Sequence, residues 1–320
     1  MNDIKIVILD SKTLGSDIEF SQFGRFGTVS VYPVTSQDEV KERICDADVI
    51  IVNKIKLNEG NLFGARNLKL ICVTATGYDN IDVEYCKKCG IGVCNVRGYS
   101  SDSVAQTTVA MALSLVNNIA VFDKYVKNGS YTKSGTQNKV EPVFHEMTTM
   151  TWGIVGLGGI GKRTAEIAKA LGCRVLAFKR IPDSGYECVD IDTLCRESDI
   201  ISVHLPLTAQ TKHLINRERI SEMKETAIVI NVARGAVVDE KALTDAVMRG
   251  EIGGIGIDVY SFEPMSEDSP YHKVKDCDNV ILTPHMAWGA YEARVRCMDE
   301  IEKNIESFYK GEMRNRVDAG

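Results

Sequence analysis

Short apolar runs alternate with helical spacing along the first hundred residues. "IKIVILD" (4–10), "ADVIIVN" (47–53), "LKLICVTA" (68–75) and "IGVCNV" (91–96) are β-rich and bounded by turn formers, as expected of parallel strands buried on both faces. Between them, "QDEVKERICD" (37–46) and "NIDVEYCKKCG" (80–90) place apolar residues at helical intervals. The pattern predicts one α/β unit. A second series starts at Trp152, with strands predicted at "TWGIVG", "RVLAF", "DIISVHL", "TAIVINV", "GGIGIDV" and "NVILTPH". The stretch "SSDSVAQTTVAMALSLVNNIAVFDKYVKNG" (100–129) reads as one long helix joining the two series. Its serines and Asp102 cap the start and Gly129 ends it. Residues 130–150 show no period and are expected to be loop. The closing "AYEARVRCMDEIEKNIESFYKG" is a further long helix, expected to return to the first unit. Domains are therefore expected at 1–99 plus 287–320, and at 100–286.

Composition narrows the range of partners. The chain has 320 residues, a formal net charge of −6 and ordinary proportions of hydrophobic (44%) and charged (26%) residues. A nucleic-acid partner would favour a basic surface, so none is expected. No apolar run approaches the ~20 residues of a membrane helix, and "MNDIKIVILD" reads as a strand rather than a signal peptide. Ten cysteines are scattered without a framework, which predicts reduced thiols and a cytoplasmic protein. Cys86, Cys89 and Cys94 lack a second CxxC pair or a neighbouring histidine, so they are read as structural thiols and no metal is expected.

The candidate chemistry begins at "GIVGLGGIG". Gly156, Gly158 and Gly161 form GxGxxG directly after a strand and at the opening of a helix. In that setting the glycines allow a tight turn, close approach of a pyrophosphate, and close packing of helix on strand. The helix N-terminus adds free N–H groups and partial positive charge. A phosphate-loop reading of Gly156, Gly161 and Lys162 fails at Arg163, where that motif needs a hydroxyl. The next strand ends at Phe178 and is followed by Lys179 and Arg180. An acid there accepts ribose hydroxyls and selects NAD, whereas a base pairs with a 2′-phosphate. The basic pair favours NADP(H) over NAD(H), with Asp183 as an alternative ribose partner.

Ligands of open α/β sheets lie beyond the carboxyl ends of the strands. There the second series delivers His204 and Pro206, Arg234, Asp258 and Glu263, and His285. One Arg, one Glu and one His at separate strand ends suit hydride transfer to a ketone. A histidine gives the alkoxide its proton. A carboxylate on the other ring nitrogen fixes the tautomer, and a guanidinium grips the substrate carboxylate and polarises the carbonyl.

These residues resemble the D-isomer-specific 2-hydroxyacid dehydrogenases. The matching stretches are "TATGYDNID", "SVAQTT", "GIVGLGGIG", "HLPLTAQTKHLIN", "INVARGAVVDEKAL", "GIDVYSFEP" and "ILTPHMAW". The resemblance implies two Rossmann-like or flavodoxin-like, doubly wound parallel-sheet α/β domains with a cleft between them, in a homodimer. It implies His285 as the acid/base, Glu263 as its partner and Arg234 as the substrate anchor. Carried-over cofactor contacts are Gly159, Ile160, His204, Pro206, Thr211, Val232, Ala233 and Asp258 beside the loop glycines, with Thr108 on the joining helix. Backbone N–H groups near Thr76 and Gly77 are implied to bind the substrate carboxylate. "HMAW" with Trp288, and "VNK" with Asn53 and Lys54, resemble hydroxypyruvate and glyoxylate reductases, which implies Asn53, Lys54 and Trp288 as residues near the substrate. The implied substrate is therefore a small 2-oxo or 2-hydroxy acid. A D-lactate-type or branched 2-oxo acid reductase, and a dinucleotide-sensing corepressor-like protein, are the alternatives. Lys179 departs from the family, many of whose members carry Asp there.

Overall fold

The structure is a computed structural model that describes residues 4–319. The chain divides into two compact units, Met1–Ser100 with Gly289–Gly320, and Ser101–Trp288. The boundaries expected from sequence fall one and two residues earlier.

The first unit is built on five parallel strands: β1 (Ile4–Ile8), β2 (Gly27–Val31), β3 (Val49–Val52), β4 (Leu70–Val73) and β5 (Gly92–Cys94), in the order β2-β1-β3-β4-β5. Every residue of β3, β4 and β5 is buried, which is why these strands read as continuous apolar runs. The sequence reading missed β2. Its "GTVSV" lies at the sheet edge with no fully buried residue, and an edge strand needs no apolar run. The helix Tyr291–Tyr309 belongs to this unit and buries Cys297, Met298 and Ile301.

The second unit carries seven parallel strands: β6 (Thr151–Val155), β7 (Arg174–Phe178), β8 (Glu187–Cys188), β9 (Ile200–Val203), β10 (Ile228–Asn231), β11 (Gly254–Ile257) and β12 (Val280–Leu282). Their order is β12-β11-β10-β9-β6-β7-β8. The winding reverses between β6 and β9, and such a switch point opens a crevice at the strand ends. The two-residue β8 was not foreseen; one of its residues is exposed and the other half-buried.

The long helix expected over 100–129 is instead two, Ser101–Val116 and Ile119–Lys127, bent by 61°. Asn118 takes a left-handed conformation (φ 50°) between them, which asparagine tolerates better than most residues. The first helix buries nine side chains, among them Val104, Met111 and Leu115, whereas the second buries none. The break thus marks where the chain leaves the core. The expected loop over 130–150 contains a short helix, Ser130–Ser134, and a single 3₁₀ turn, Met147–Thr149. The expected helix over 37–46 shrinks to Val40–Arg43. Among the described residues no single helix is long and apolar enough to cross a membrane. Cys86 and Cys94 are buried and Cys89 is exposed. Among the described residues no group of three or more His, Cys, Asp or Glu is placed to hold a metal ion.

Candidate active site

Neighbouring strands β10, β11 and β12 carry Arg234, Glu263 and His285 on the segments that follow them. The His285 Nδ1 lies 2.6 Å from Glu263 Oε2. The other carboxylate oxygen, Oε1, accepts the Tyr260 N–H at 3.1 Å, so the glutamate is tied to its own turn while it holds the imidazole. A carboxylate on Nδ1 makes that nitrogen the donor and leaves Nε2 as the atom that exchanges a proton. The two side chains are 22% and 32% exposed. A ligand can therefore reach them, yet water only partly screens the pair.

The backbone around His285 is held from below by Asp258, which is 1% exposed. Its Oδ1 accepts from Thr283 Oγ1 (2.6 Å) and the Met286 N–H (2.8 Å), and its Oδ2 from the Ala287 N–H (3.0 Å). His285 itself sits at φ 52°, a left-handed conformation that costs energy in a non-glycine residue and persists only where the surroundings enforce it. These three bonds and the Trp288 Nε1–H on the His285 carbonyl (2.9 Å) enforce it. The resemblance implies Asp258 as a cofactor contact. In the structure both of its oxygens bond to the loop and almost none of the residue is exposed, so it positions His285. Trp288 likewise braces His285 through its indole N–H.

Arg234 is placed by a residue the sequence reading passed over. Asn231, fully buried at the end of β10, donates from Nδ2 to the Arg234 carbonyl (3.0 Å) and accepts the Ala233 N–H on Oδ1 (3.1 Å). The Arg234 guanidinium donates to the Ala233 carbonyl at 2.8 Å. At the next position a Cβ would overlap the backbone of Tyr260 and Ser261. Only glycine at 235 lets the arginine turn pack on the segment that leads to Glu263. The sequence signal was a polar residue closing an otherwise apolar strand, in "IVIN".

The glycine loop joins β6 to the helix Gly159–Ala170. Gly156 has φ 103°. A Cβ on Gly161 would overlap the Gly156 carbonyl, whereas one on Gly158 would meet nothing within 4 Å. The helix start therefore presses on the loop, with open space over Gly158. No side chain caps this helix and no acid lies in its first turn, so its leading N–H groups suit an anion. Past β9, Trp152 Nε1 donates to Ser202 Oγ, which lies 2.9 Å from His204 Nε2. Burial pushes the His204 imidazole down to about 3, so it is neutral. Its Nδ1 is a buried atom without a hydrogen-bond partner among the described residues. An open glycine cradle, an uncapped helix and an unpartnered imidazole nitrogen at one switch point fit a dinucleotide.

The remaining expected contacts are spread around this loop. Ile160, Ala233 and Thr211 are half-buried and Pro206 is exposed; Thr211 Oγ1 closes the loop on the Pro206 carbonyl at 2.6 Å. Val232 is 9% exposed. Thr108 is fully buried with its hydroxyl on the Val104 carbonyl. Past β7, Lys179 lies 3.5 Å from Asp183 and Arg180 is exposed.

In the first unit, Asn53 is buried and Lys54 exposed. Asp10, at the end of the first apolar run and 3% exposed, accepts the N–H groups of Asn53 (2.9 Å), Lys54 (2.6 Å) and Ile55 (3.3 Å). Burial raises its pKa against these bonds. Asp10 thus shapes the "VNK" turn, a role the sequence reading did not assign. Thr76 is exposed and Gly77 half-buried, with Thr76 Oγ1 on the Val96 carbonyl at 2.9 Å.

Known proteins place this arrangement in a family. A family model described as "D-isomer specific 2-hydroxyacid dehydrogenase, NAD binding domain" matches residues 109–287. A glycerate dehydrogenase of Methylorubrum extorquens is 36% identical over 98% of this chain and 99% of its own. Among solved structures, a D-lactate dehydrogenase from Aquifex aeolicus complexed with NAD and lactic acid is similar at TM-score 0.84 and 33% identity, covering 98% of this chain and 99% of that one. An acyclic imino acid reductase in complex with NADPH and D-Arg is similar at TM-score 0.86 and 29% identity, covering 98% and 100%. The chain belongs to the D-isomer-specific 2-hydroxyacid dehydrogenase family and is an NAD(P)-dependent oxidoreductase acting on a CH–OH group.

Proposed function

We propose that the protein reduces hydroxypyruvate or glyoxylate to the D-2-hydroxy acid, with NADP(H) preferred over NAD(H). The observation that carries the chemistry is the His285–Glu263 pair at 2.6 Å, on a loop clamped by Asp258. Nicotinamide, when bound, supplies the hydride. His285 Nε2 gives the proton to the carbonyl oxygen as it becomes an alkoxide, and Glu263 steadies the changing charge on the ring through Nδ1. Arg234 pairs its guanidinium with the acid's carboxylate and draws electron density from the carbonyl. Gly158, the helix N-terminus beyond it and the His204 imidazole hold the dinucleotide's polar backbone. Asn53, Lys54, Thr76 and Gly77 keep their expected role toward the substrate. The small-acid reading draws on "HMAW" and "VNK" and on the 36% identity to a glycerate dehydrogenase. The cofactor preference draws on Lys179 and Arg180. By the same resemblance the working species is a homodimer.

The test is consumption of NADPH and NADH, followed at 340 nm, with hydroxypyruvate, glyoxylate, pyruvate and a branched 2-oxo acid. Hydroxypyruvate or glyoxylate should give the highest kcat/KM, and NADPH should be the better donor. A clear preference for pyruvate or the branched acid would overturn the substrate, and a clear preference for NADH would overturn the cofactor.

A further inference from the structure

The basic residues past β7 are not alone. Asp183, four residues beyond Lys179, places Oδ2 2.8 Å from Lys162 Nζ and 3.5 Å from Lys179 Nζ. Lys162 comes from the first turn of the glycine-loop helix and Lys179 from the end of β7, so one carboxylate oxygen joins two elements that face the same ligand end. The other oxygen, Oδ1, accepts the Gly185 N–H at 3.2 Å. The Tyr186 N–H closes the turn on the Asp183 carbonyl at 3.0 Å. The acid is therefore built into a turn and is not a loose surface group. Arg180, next to Lys179 in the chain, is exposed and has no hydrogen-bond or ion-pair partner among the described residues.

We propose that Asp183 is a specificity-determining residue, an internal counterion that occupies Lys162 and Lys179 and so restrains the preference for a 2′-phosphorylated dinucleotide. The inference rests on the reading that the adenosine end of a dinucleotide lies past β7. Two cations, Lys162 and Lys179, meet one carboxylate, and Arg180, next to Lys179 in the chain, adds an exposed charge, so two positive charges are left uncancelled. That excess suits a phosphate monoester of about −1.5 to −2 charge. The same carboxylate repels the phosphate and competes for both ammonium groups. A 2′-hydroxyl carries no charge and feels neither effect. The chain thus keeps a cationic site for NADP(H) without making it prohibitive for NAD(H). Hydrogen bonding from Lys162 and from the Gly185 N–H pulls the Asp183 carboxyl down to about 2, so the counter-charge persists across the working pH range.

The opposite assignment makes Asp183 the ribose acceptor of an NAD enzyme. The two predict opposite outcomes for Asp183→Asn, which keeps Oδ1 for the Gly185 N–H and with it the turn. Binding to the full-length protein is measured by calorimetry, with adenosine 2′,5′-bisphosphate and 5′-AMP as probes. Asp183→Asn should bind the bisphosphate about five- to tenfold tighter, with 5′-AMP unchanged within twofold. Lys179→Ala and Lys162→Met should each weaken the bisphosphate and leave 5′-AMP alone, and they carry the test if the asparagine variant does not fold. Unaltered bisphosphate affinity in Asp183→Asn, or a loss of 5′-AMP binding, would overturn the counterion role. Failure of the unchanged protein to bind either probe would remove the adenosine site itself, and so strike the underlying reading rather than the role of Asp183.

Discussion

Two stretches of one sheet edge handle polar groups in opposite ways. Beyond β10 to β12, side chains bond to backbone: buried Asp258 to the Met286 and Ala287 N–H groups, buried Asn231 to both sides of the Arg234 turn, and part-exposed Glu263 to the Tyr260 N–H. Beyond β7, the contacts run between charged side-chain ends, Lys162 and Lys179 to Asp183, with the lysines 45% and 35% exposed. Backbone bonds from buried groups fix atoms in place, because leaving them unmade is costly. Exposed ion pairs fix little, since water and salt compete for them. A proton delivered to one oxygen requires the first arrangement. A choice between ligands that differ by one phosphate requires only a balance of charge, the role proposed for the second.

The largest expected effect tests the rigid side. His285→Asn should lower kcat by about 10²- to 10⁴-fold, while NADPH binding, followed by fluorescence, changes less than twofold. A modest loss of kcat, or a matching loss of cofactor binding, would mean that the β12 end does not do the proton work assigned to it. Next in size is Gly235→Ala. The added methyl overlaps the Tyr260 and Ser261 backbone, and relief of such overpacking costs about 1–3 kcal/mol. The melting temperature should fall, and kcat/KM should drop about tenfold or more as Arg234 and Glu263 move apart. The ratio of NADPH to NADH use should not change, because the β7 end is untouched. A shift in that ratio would show that the two ends are mechanically joined.

How much of this was visible in the sequence follows from the same contrast. The strands buried on every face, β3, β4, β9 and β10, announced themselves as apolar runs, while the edge strands β2 and β8 carried no such signal. The bend at Asn118 was hidden because the apolar pattern runs on past it. At the site, Arg234, Glu263 and His285 could be found as charges at strand ends, and the structure brings Glu263 and His285 into contact. The supports could not. The supporting role of Asp258 was hidden because nothing in "GIDVY" shows that its oxygens turn toward residues 283–287. Asn231 and Asp10 looked like ordinary strand ends. Lys179 and Arg180 were visible as charges. Their balance with Asp183 and Lys162 depends on a helix turn and a strand end meeting in space, and spacing along the chain does not encode that meeting.

The smallest expected effect comes from salt, and it bears on both sides at once. The Debye length shrinks from about 10 Å at 0.1 M ionic strength to about 3 Å at 1 M. Attraction between an exposed cationic cluster and a 2′-phosphate weakens accordingly. The KM for NADPH should rise severalfold from 0.05 to 0.5 M salt, while the KM for NADH rises less, so the ratio moves toward one. At saturating acid and cofactor, kcat should change less than twofold, because the His285–Glu263 pair is only partly exposed and its loop is held by uncharged N–H donors on Asp258. The KM for the acid should also rise, since the proposed mechanism pairs Arg234 with its carboxylate as charges, and for that reason kcat at saturation is the quantity to compare. If kcat fell in step with the cofactor ratio, the acid–base pair would be as open to screening as the lysines, and the distinction between a fixed end and an adjustable end of this sheet would not hold.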